Sequence, residues 1–422
     1  MRTRVASLHV TSADSILVAV AVIFLHFQIV VVSGFPLTIA PFVVVLLLTM
    51  WRRVATKSLG AWILLVALLL LPFVNMWQMT GATGGEATDF LRTYSLWCFS
   101  CVTPWSIVFL SSRRRSASSA SGLPTVAFTC LIIIAAFCVV QVAAWRFMGN
   151  EALYNPFGSH QYLYAMSVSG ALAGGLVRAK GLFLEPSFCA LVILTLWVVC
   201  LLYRYKVLAS SVVAILGIAL TRSVVGLLAG AVLILVLWST ARRDQYWPIR
   251  FVSVLAVCIL VATTLFDSGT YMGGRLLEVQ RPGSSGYWRV TAPLIMMRQA
   301  LITYPTGVIL GHSSQYVASF GVLRGNAVGS SVDNGIQNLV FYFGWLGLAG
   351  VLALAYLAVG SVLRRDQPAA LATSYLLLAL LFTGGILVPE YAFLQMLILQ
   401  ARQQSQVALA PVADALVRVQ HP

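Results

Sequence analysis

The chain has 422 residues, of which 60% are hydrophobic and only 9% charged, and its mean hydropathy is +0.91. A soluble domain cannot bury so much apolar surface, so the composition excludes one and indicates an integral membrane protein. The net charge of +15 would suit a nucleic-acid binder. However, the basic residues lie mostly in short loops between apolar runs, where membrane topology and contact with anionic lipid explain them. No nucleic-acid partner is therefore expected.

The apolar runs predict an all-α membrane protein with about 11–12 transmembrane helices, because each run is near the length that a bilayer core requires. The last two predicted spans are short and are alternatively re-entrant. The spans are predicted at about 14–33, 36–51, 59–76, 93–111, 124–145, 185–203, 207–220, 224–240, 249–267, 336–361, 369–384 and 387–401.

Most of the 27 Lys and Arg residues lie in alternate loops. The positive-inside rule therefore predicts a cytoplasmic N-terminus and a short cytoplasmic tail over residues 402–422. Two longer segments then face outward: 146–184, and a large periplasmic loop over 268–335 with an amphipathic helix around Pro293–Ile302. A single polytopic domain without a nucleotide-binding motif is expected to do its chemistry in the membrane or on its outer face.

The first charged group stands before the predicted span at 185. Arg178 and Lys180 precede Glu185, which occupies the start of a helix that Pro186 suits. One interpretation is a helix cap with cations that reach toward the interface. The other is a functional site, because two cations and a carboxylate gather where a lipid head group would arrive.

The second charged group is Thr221-Arg222-Ser223, between two apolar runs. So short a loop places Arg222 at or just below the outer interface, where a guanidinium requires an anionic partner. Glu185 is one candidate partner, and a substrate phosphate is another, since arginine binds phosphate through two parallel hydrogen bonds.

The large outer loop holds further candidates for binding and catalysis. Each single arginine there is alternatively a solvated side chain, but together they oppose the usual charge bias of outer loops. Asp333 is a candidate base or a helix cap. His312 is a candidate catalytic residue or an ordinary loop histidine, and Glu390 in the last outer turn is a lesser carboxylate candidate. The candidate cations of the loop are Arg275, Arg289 and Arg298.

Taken in order, these residues resemble the Wzy-type polysaccharide polymerases, which share a superfamily with the O-antigen ligases. The similarity rests mainly on residues 175–350. One departure is that family members often have His-Asn where this chain has Asp333-Asn334, although Gly311-His312 matches the glycine-rich stretch that precedes it. The matching motifs are Arg178-x-x-Gly181-Leu182-Phe183-x-Glu185-Pro186-Ser187-Phe188, Thr221-Arg222-Ser223-x-x-Gly226, and Asp333-Asn334-x-x-x-x-Leu339 with Gly344-x-x-Gly347.

The resemblance implies a glycosyltransferase-C-like fold and a metal-independent enzyme without cofactors. Such enzymes join oligosaccharide repeat units carried on undecaprenyl diphosphate at the periplasmic face of a bacterial inner membrane, and a chain-length regulator is a candidate partner. On this view Glu185, Asp333 and His312 are candidate catalytic residues. The candidate diphosphate-binding residues are Arg178, Lys180, Arg222, Arg275, Arg289 and Arg298.

Other functions stay open at this point. A ligase relative would transfer the finished glycan to lipid A-core. A flippase for polyisoprenoid-linked glycans would require charges that span both halves of the membrane, whereas the charges near these spans lie on one side. A structural partner of an envelope complex is the remaining class.

Overall fold

The structure is a computed structural model, and it describes residues 13–32, 35–38, 59–79, 84–102, 122–149, 152–154, 156, 172–173, 176–241, 250–251, 253–254, 280, 287, 291–311, 334–382, 390–403 and 405. Within these ranges the fold is predominantly helical, as the sequence predicts. An α-helix pairs its backbone amides and carbonyls with one another by hydrogen bonds, which suits a chain as apolar as this one.

In the first part of the chain, the described residues form four α-helices and one hairpin. Leu71–Met79 continues α2 as a 3₁₀ helix, and Cys98–Val102 continues α3 as a π-helical turn. The elements are α1 (Ala13–Ile23), β1 (Gln28–Val32), β2 (Phe35–Thr38), α2 (Leu59–Leu70), α3 (Gly84–Trp97) and α4 (Leu123–Met148).

The second part begins with a 3₁₀ turn at Ala152–Tyr154 and a small hairpin, and then continues as helices. The helices α9 and α10 pack against each other along their lengths. The elements are β3 (Leu172–Ala173), β4 (Leu176–Val177), α5 (Pro186–Leu202), α6 (Val207–Thr221), α7 (Val224–Thr240), α8 (Thr291–Thr303), α9 (Gly335–Leu363), α10 (Gln367–Phe382) and a helix over 390–403, here α11.

The two hairpins are the exceptions to the all-α prediction. The predicted span at 14–33 is helical only to Ile23, and Gln28–Val32 instead pairs antiparallel with Phe35–Thr38, inside the span predicted at 36–51. Consecutive valines favour extended backbone, and Pro36 lacks an amide hydrogen for a helix interior. Local backbone preference therefore overrides an apolar run that would suit a helix.

Helix bounds agree closely with the predicted spans at 124–145, 185–203, 207–220, 224–240, 336–361, 369–384 and 387–401, whereas nearly all of the span predicted at 249–267 lies outside the described residues. Leu123–Met148 and Gly335–Leu363 are long and apolar enough to cross a membrane. Several shorter apolar helices match the other predicted spans, including Pro186–Leu202 and Val224–Thr240. Their crossing of the membrane, and the total number of spans, stay predictions.

The main apolar core is built around α5, which is buried along nearly its whole length. Helices α4, α6, α7 and α10 pack on it. Glycine permits the closest contact, since a Cβ on Gly226 of α7 would lie 2.5 Å from that of Ala190 on α5. The outer helices expose apolar side chains, among them Ile132, Val139 and Leu352.

A second apolar cluster lies where α8 packs on α9. A helix forms where one is predicted near Pro293–Ile302, and its buried face carries Ala292, Met296 and Ala300 at intervals of four residues. Its exposed face also carries apolar side chains, among them Leu294, Ile295 and Ile302, so the predicted amphipathic pattern is weak. Whether α8 lies on the membrane surface stays a prediction.

Helix α9 is interrupted at Gly344, which has φ 54° and ψ −130°. The peptide groups after α8 dock at this interruption: the Trp345 amide donates to the Pro305 carbonyl across 3.0 Å, and the Val308 amide to the Phe341 carbonyl across 2.9 Å. A Cβ at Gly344 would lie 1.9 Å from the Pro305 oxygen, so only glycine fits there. Glycines at 344 and 347 are expected from the sequence to permit close packing between helices, but the partner of Gly344 is the backbone of a connecting segment.

Candidate functional site

The segment 178–185 connects β4 to α5 and carries three of the predicted site residues. Its backbone is tied to the end of α6, because the Ala179 amide donates to the Leu220 carbonyl across 3.1 Å. Arg178 is the residue before Ala179, and Arg222 lies two residues after Leu220. The two motifs, more than forty positions apart in sequence, therefore meet. The place where residues 178–185 meet residues 220–223 is here named the cationic end of the helix bundle.

Arg222 occupies a tight connection between α6 and α7. Its backbone is left-handed, with φ 48°, where it ends α6. Ser223 caps the next helix, its Oγ accepting from the Gly226 amide across 3.2 Å. The turn is therefore fixed on both sides, which holds the Cα of Arg222 at the cationic end.

Glu185 stands at the N-cap position of α5, as the sequence predicts. Its carboxylate accepts a hydrogen bond from the Ser187 hydroxyl rather than from a backbone amide of the helix. The helix dipole favours an anion at this position. The carboxylate is thus oriented by its neighbour in the Glu185-Pro186-Ser187 motif.

Lys180 is fully buried, and burial lowers the pKa of this side chain from its ordinary value of 10.5 to about 8. Its ammonium lies 4.9 Å from the ring centroid of Tyr154. The lysine is therefore held in a partly desolvated, aromatic environment, in which its positive charge acts strongly on a nearby anion.

Tyr154 joins the outer 3₁₀ turn to the same segment. Its hydroxyl donates to the Arg178 carbonyl across 3.1 Å. Burial raises the pKa of Tyr154 above its ordinary value; the charge of Arg178 opposes this rise and that of Glu185 adds to it. The Tyr154 hydroxyl therefore stays protonated and can donate a hydrogen bond, and the charges of Arg178 and Glu185 are close enough to influence it.

Two residues remote in sequence complete the surroundings. The ring of His26, just after α1, lies 5.8 Å from that of Phe183 and 5.3 Å from that of Phe188, between centroids. Phe188 lies 5.1 Å from the ring of Tyr391, next to the buried Glu390. Glu390, the lesser carboxylate candidate, is thereby brought to the start of α5.

Several helices begin at the cationic end. α5 and α7 begin at Pro186 and Val224, and α11 begins at Glu390 beside Phe188. Helix N-termini carry partial positive charge and favour anions. Together with the basic side chains, they make this end suitable for a diphosphate.

The cap of α9 is Asn334, whose side-chain oxygen accepts from the Gln337 amide across 3.1 Å. The capping role that the sequence offers as an alternative for Asp333 therefore belongs to its neighbour. Gly311 has φ 96°, and a Cβ there would lie 2.8 Å from the Asp89 carbonyl oxygen. This fixes the chain just before His312.

The structure brings together Arg178, Lys180, Glu185 and Arg222. Arg298 is exposed on α8, which packs on α9. Asp333, His312, Arg275 and Arg289 lie outside the described residues, so their roles stay predictions. Within the described ranges, no group of three or more His, Cys, Asp or Glu residues is suited to hold a metal ion.

Sequence reasoning missed Tyr154, His26, Tyr391 and Gln141. Gln141 had a detectable signal, because it is a polar residue within the apolar run predicted at 124–145, and polar residues there require a reason. The others gave no local pattern, since aromatic residues and a histidine beside apolar runs are ordinary packing residues.

A family model described as WcaD colanic acid polymerase matches residues 13–404 of the chain. A curated protein of Escherichia coli (strain K12), named "Putative colanic acid polymerase", is 27% identical over 381 residues, which covers 86% of this chain and 89% of that protein.

Proposed function

The chain belongs to the WcaD colanic acid polymerase family, and from this premise we propose that it polymerises repeat units carried on undecaprenyl diphosphate into an exopolysaccharide at the periplasmic face of the inner membrane. The family confirms the predicted polysaccharide polymerase and, with it, a membrane-associated enzyme of glycosyltransferase type acting on lipid-linked oligosaccharide. The carrier lipid, the face of the membrane and the residues involved are the proposal.

The observation that carries the proposal is the hydrogen bond from Ala179 to Leu220, which brings Arg178 and Arg222 to one place. When the bond between the anomeric carbon and the diphosphate oxygen breaks, the bonding electrons go to the leaving diphosphate. Guanidinium and ammonium groups already held in position stabilise that charge without reorganising. Arg178, Lys180 and Arg222 are the residues assigned to this role.

The growing chain is the donor, and a hydroxyl of the incoming lipid-linked repeat unit is the acceptor. As the new glycosidic bond forms at the anomeric carbon, the acceptor hydroxyl loses its proton to a carboxylate. Glu185 is assigned this role because it lies among the cations and its oxygen is oriented by Ser187. Asp333 is the second candidate, at the start of α9.

A reconstitution experiment tests the function directly. Purified protein in detergent or vesicles is given a lipid-linked repeat unit, and the products are separated by size. Glycans of several repeat units, with release of the carrier diphosphate, are the expected result. Transfer only to lipid A-core would show a ligase, and movement across the bilayer without new glycosidic bonds would show a transporter; either result would overturn the proposal.

A further inference from the structure

A single side-chain amide connects three parts of the chain at the cationic end. Gln141 lies near the end of α4 and is only 2% exposed. Its oxygen accepts from the amides of Lys180 and Gly181 across 3.2 Å and 2.9 Å. Its nitrogen donates to the carbonyls of Leu153 and Gly181 across 2.9 Å and 2.8 Å.

We propose that Gln141 is a positioning residue for diphosphate binding, because its amide fixes the backbone that carries Lys180 and Tyr154 relative to α4. This inference rests on the function proposed above. The amide uses both its donor and its acceptor capacity on backbone groups, so only a side chain of the same length with both capacities reproduces the arrangement. Glycine suits position 181, since its φ of 59° is left-handed and a Cβ there would lie 3.1 Å from the Cys189 sulfur.

The position of Lys180 relative to Tyr154 depends on this amide. Leu153 adjoins Tyr154 in the 3₁₀ turn, and Gln141 binds the carbonyl of Leu153 and the amide of Lys180 at once. The cation and the ring that it approaches are therefore held by one group. Loss of the Gln141 amide should therefore displace the Lys180 ammonium without removing its charge. Small displacements of a binding group weaken its interaction with a ligand strongly.

Gln141→Glu gives a reversible test. An ionised carboxylate still accepts from Lys180 and Gly181, but it faces the two carbonyls without a proton. When protonated, it donates to one carbonyl and accepts from both amides, close to the native pattern. We expect the KM for the lipid-linked donor to rise about tenfold at pH 8 and to return toward the wild-type value at pH 5.5.

The pH comparison is made as the ratio of variant to wild type at each pH, since other titratable and charged groups share this environment. They are Lys180, Tyr154, His26, Arg178, Glu185 and the thiols of Cys138 and Cys189. These groups also titrate in the wild type, so the pH dependence of the ratio reports the titration of the new carboxylate at position 141 together with its coupling to them.

Asn75→Asp is the matched control. Asn75 is 3% exposed and donates its side-chain amide to the carbonyls of Thr306 and Tyr342 across 2.9 Å and 3.1 Å, away from the cationic end. We expect this variant to lose thermal stability without the pH-dependent change in donor KM. Equal behaviour of the two acidic variants would show that Gln141 is merely structural and would overturn the inference.

Gln141→Asn covers the case in which the acidic variant does not fold. It keeps the amide but withdraws it by one methylene, so a raised donor KM with a smaller change in kcat is expected. An unchanged KM in Gln141→Asn would also overturn the inference. Failure of the wild type to elongate lipid-linked glycans would instead refute the proposed function, and the wild type is therefore assayed first.

Discussion

The ammonium of Lys180 lies 4.9 Å from the centre of the Tyr154 ring and is fully buried. Lys180 belongs to the segment that leads into α5, and Tyr154 is held against that segment by its hydrogen bond to the Arg178 carbonyl. A lysine so placed is a strong but pH-sensitive anion-binding group, because burial penalises its charged form.

Activity should fall as pH rises through about 8, where burial places the pKa of Lys180. If only the charged lysine binds the diphosphate, donor KM rises roughly tenfold per pH unit above that value. The measurement is donor KM between pH 6.5 and 9.5, with Lys180→Arg as the control that stays charged. A wild-type profile that matches the arginine variant would contradict the prediction.

The stability of the fold should rise with pH over the range in which activity falls. The folded pKa of Lys180 is lowered, so between about pH 8 and 10.5 the unfolded chain binds more protons than the folded one. The contribution of this group to the free energy of unfolding therefore rises across that window. Melting temperatures of wild type and Lys180→Met, measured at pH 7.5 and 10, should show this rise only in the wild type.

Arg222→Lys should lower kcat/KM roughly 10- to 100-fold, because an ammonium lacks the planar pair of donors that a diphosphate requires. Arg204→Lys is a matched control: Arg204 also has left-handed backbone, with φ 53° against 48° for Arg222, but it lies between the opposite ends of α5 and α6. Normal polymer length and yield in an Arg222→Lys strain with normal expression would refute the assignment.

Asp333→Asn should impair polymerisation more than Glu278→Gln. Asp333 directly precedes the Asn334 cap at the start of α9, whereas Glu278 belongs to the long loop. The initial rates of both variants with the same lipid-linked donor provide the comparison, and equal rates would contradict the ordering.

Gly226→Ala should destabilise the packing of α7 on α5. The new methyl carbon would lie 2.5 Å from the Cβ of Ala190, and such overpacking costs about 1–3 kcal/mol. Gly350→Ala in α9 is the control, because its Cβ would meet no atom within 4 Å. Thermal unfolding in detergent should show a lower midpoint for the first variant only.

Gln337→Met should stabilise the protein. Gln337 is fully buried at the start of α9, and among the described residues neither its side-chain oxygen nor its nitrogen has a hydrogen-bond partner. Removing such an amide without changing its volume recovers about 1–3 kcal/mol. Gln141→Met, at an amide with four hydrogen bonds, should have the opposite effect on the melting temperature.

The sequence predicted most of the described helices from Leu123 onward to within a few residues, because a long uninterrupted apolar run marks both ends of a helix. It failed near Gln28–Val32, where a hairpin replaces the end of a predicted span. Hydropathy does not distinguish a strand from a helix in a short apolar run, and the valines and Pro36 decided the outcome there.

For the site, the sequence identified Arg178, Lys180, Glu185 and Arg222 one by one, since a charge beside an apolar run has a large local cost. It did not reveal the role of Gln141, whose four hydrogen bonds reach two segments remote from α4, at Leu153 and at Lys180–Gly181. It also treated Glu390 as secondary, because its approach to the start of α5 depends on the packing of Tyr391 against Phe188.

The sequence by itself determined the class of molecule, the main helices and the charged motifs, because the cost of placing a side chain in apolar surroundings depends chiefly on that residue and its neighbours. Only the tertiary structure decided that Ala179 meets Leu220, that His26 lies against Phe183 and Phe188, and that one glutamine holds the segment before α5. Such contacts join residues far apart in the chain, and they form only where helix packing brings the backbones close enough for specific hydrogen bonds.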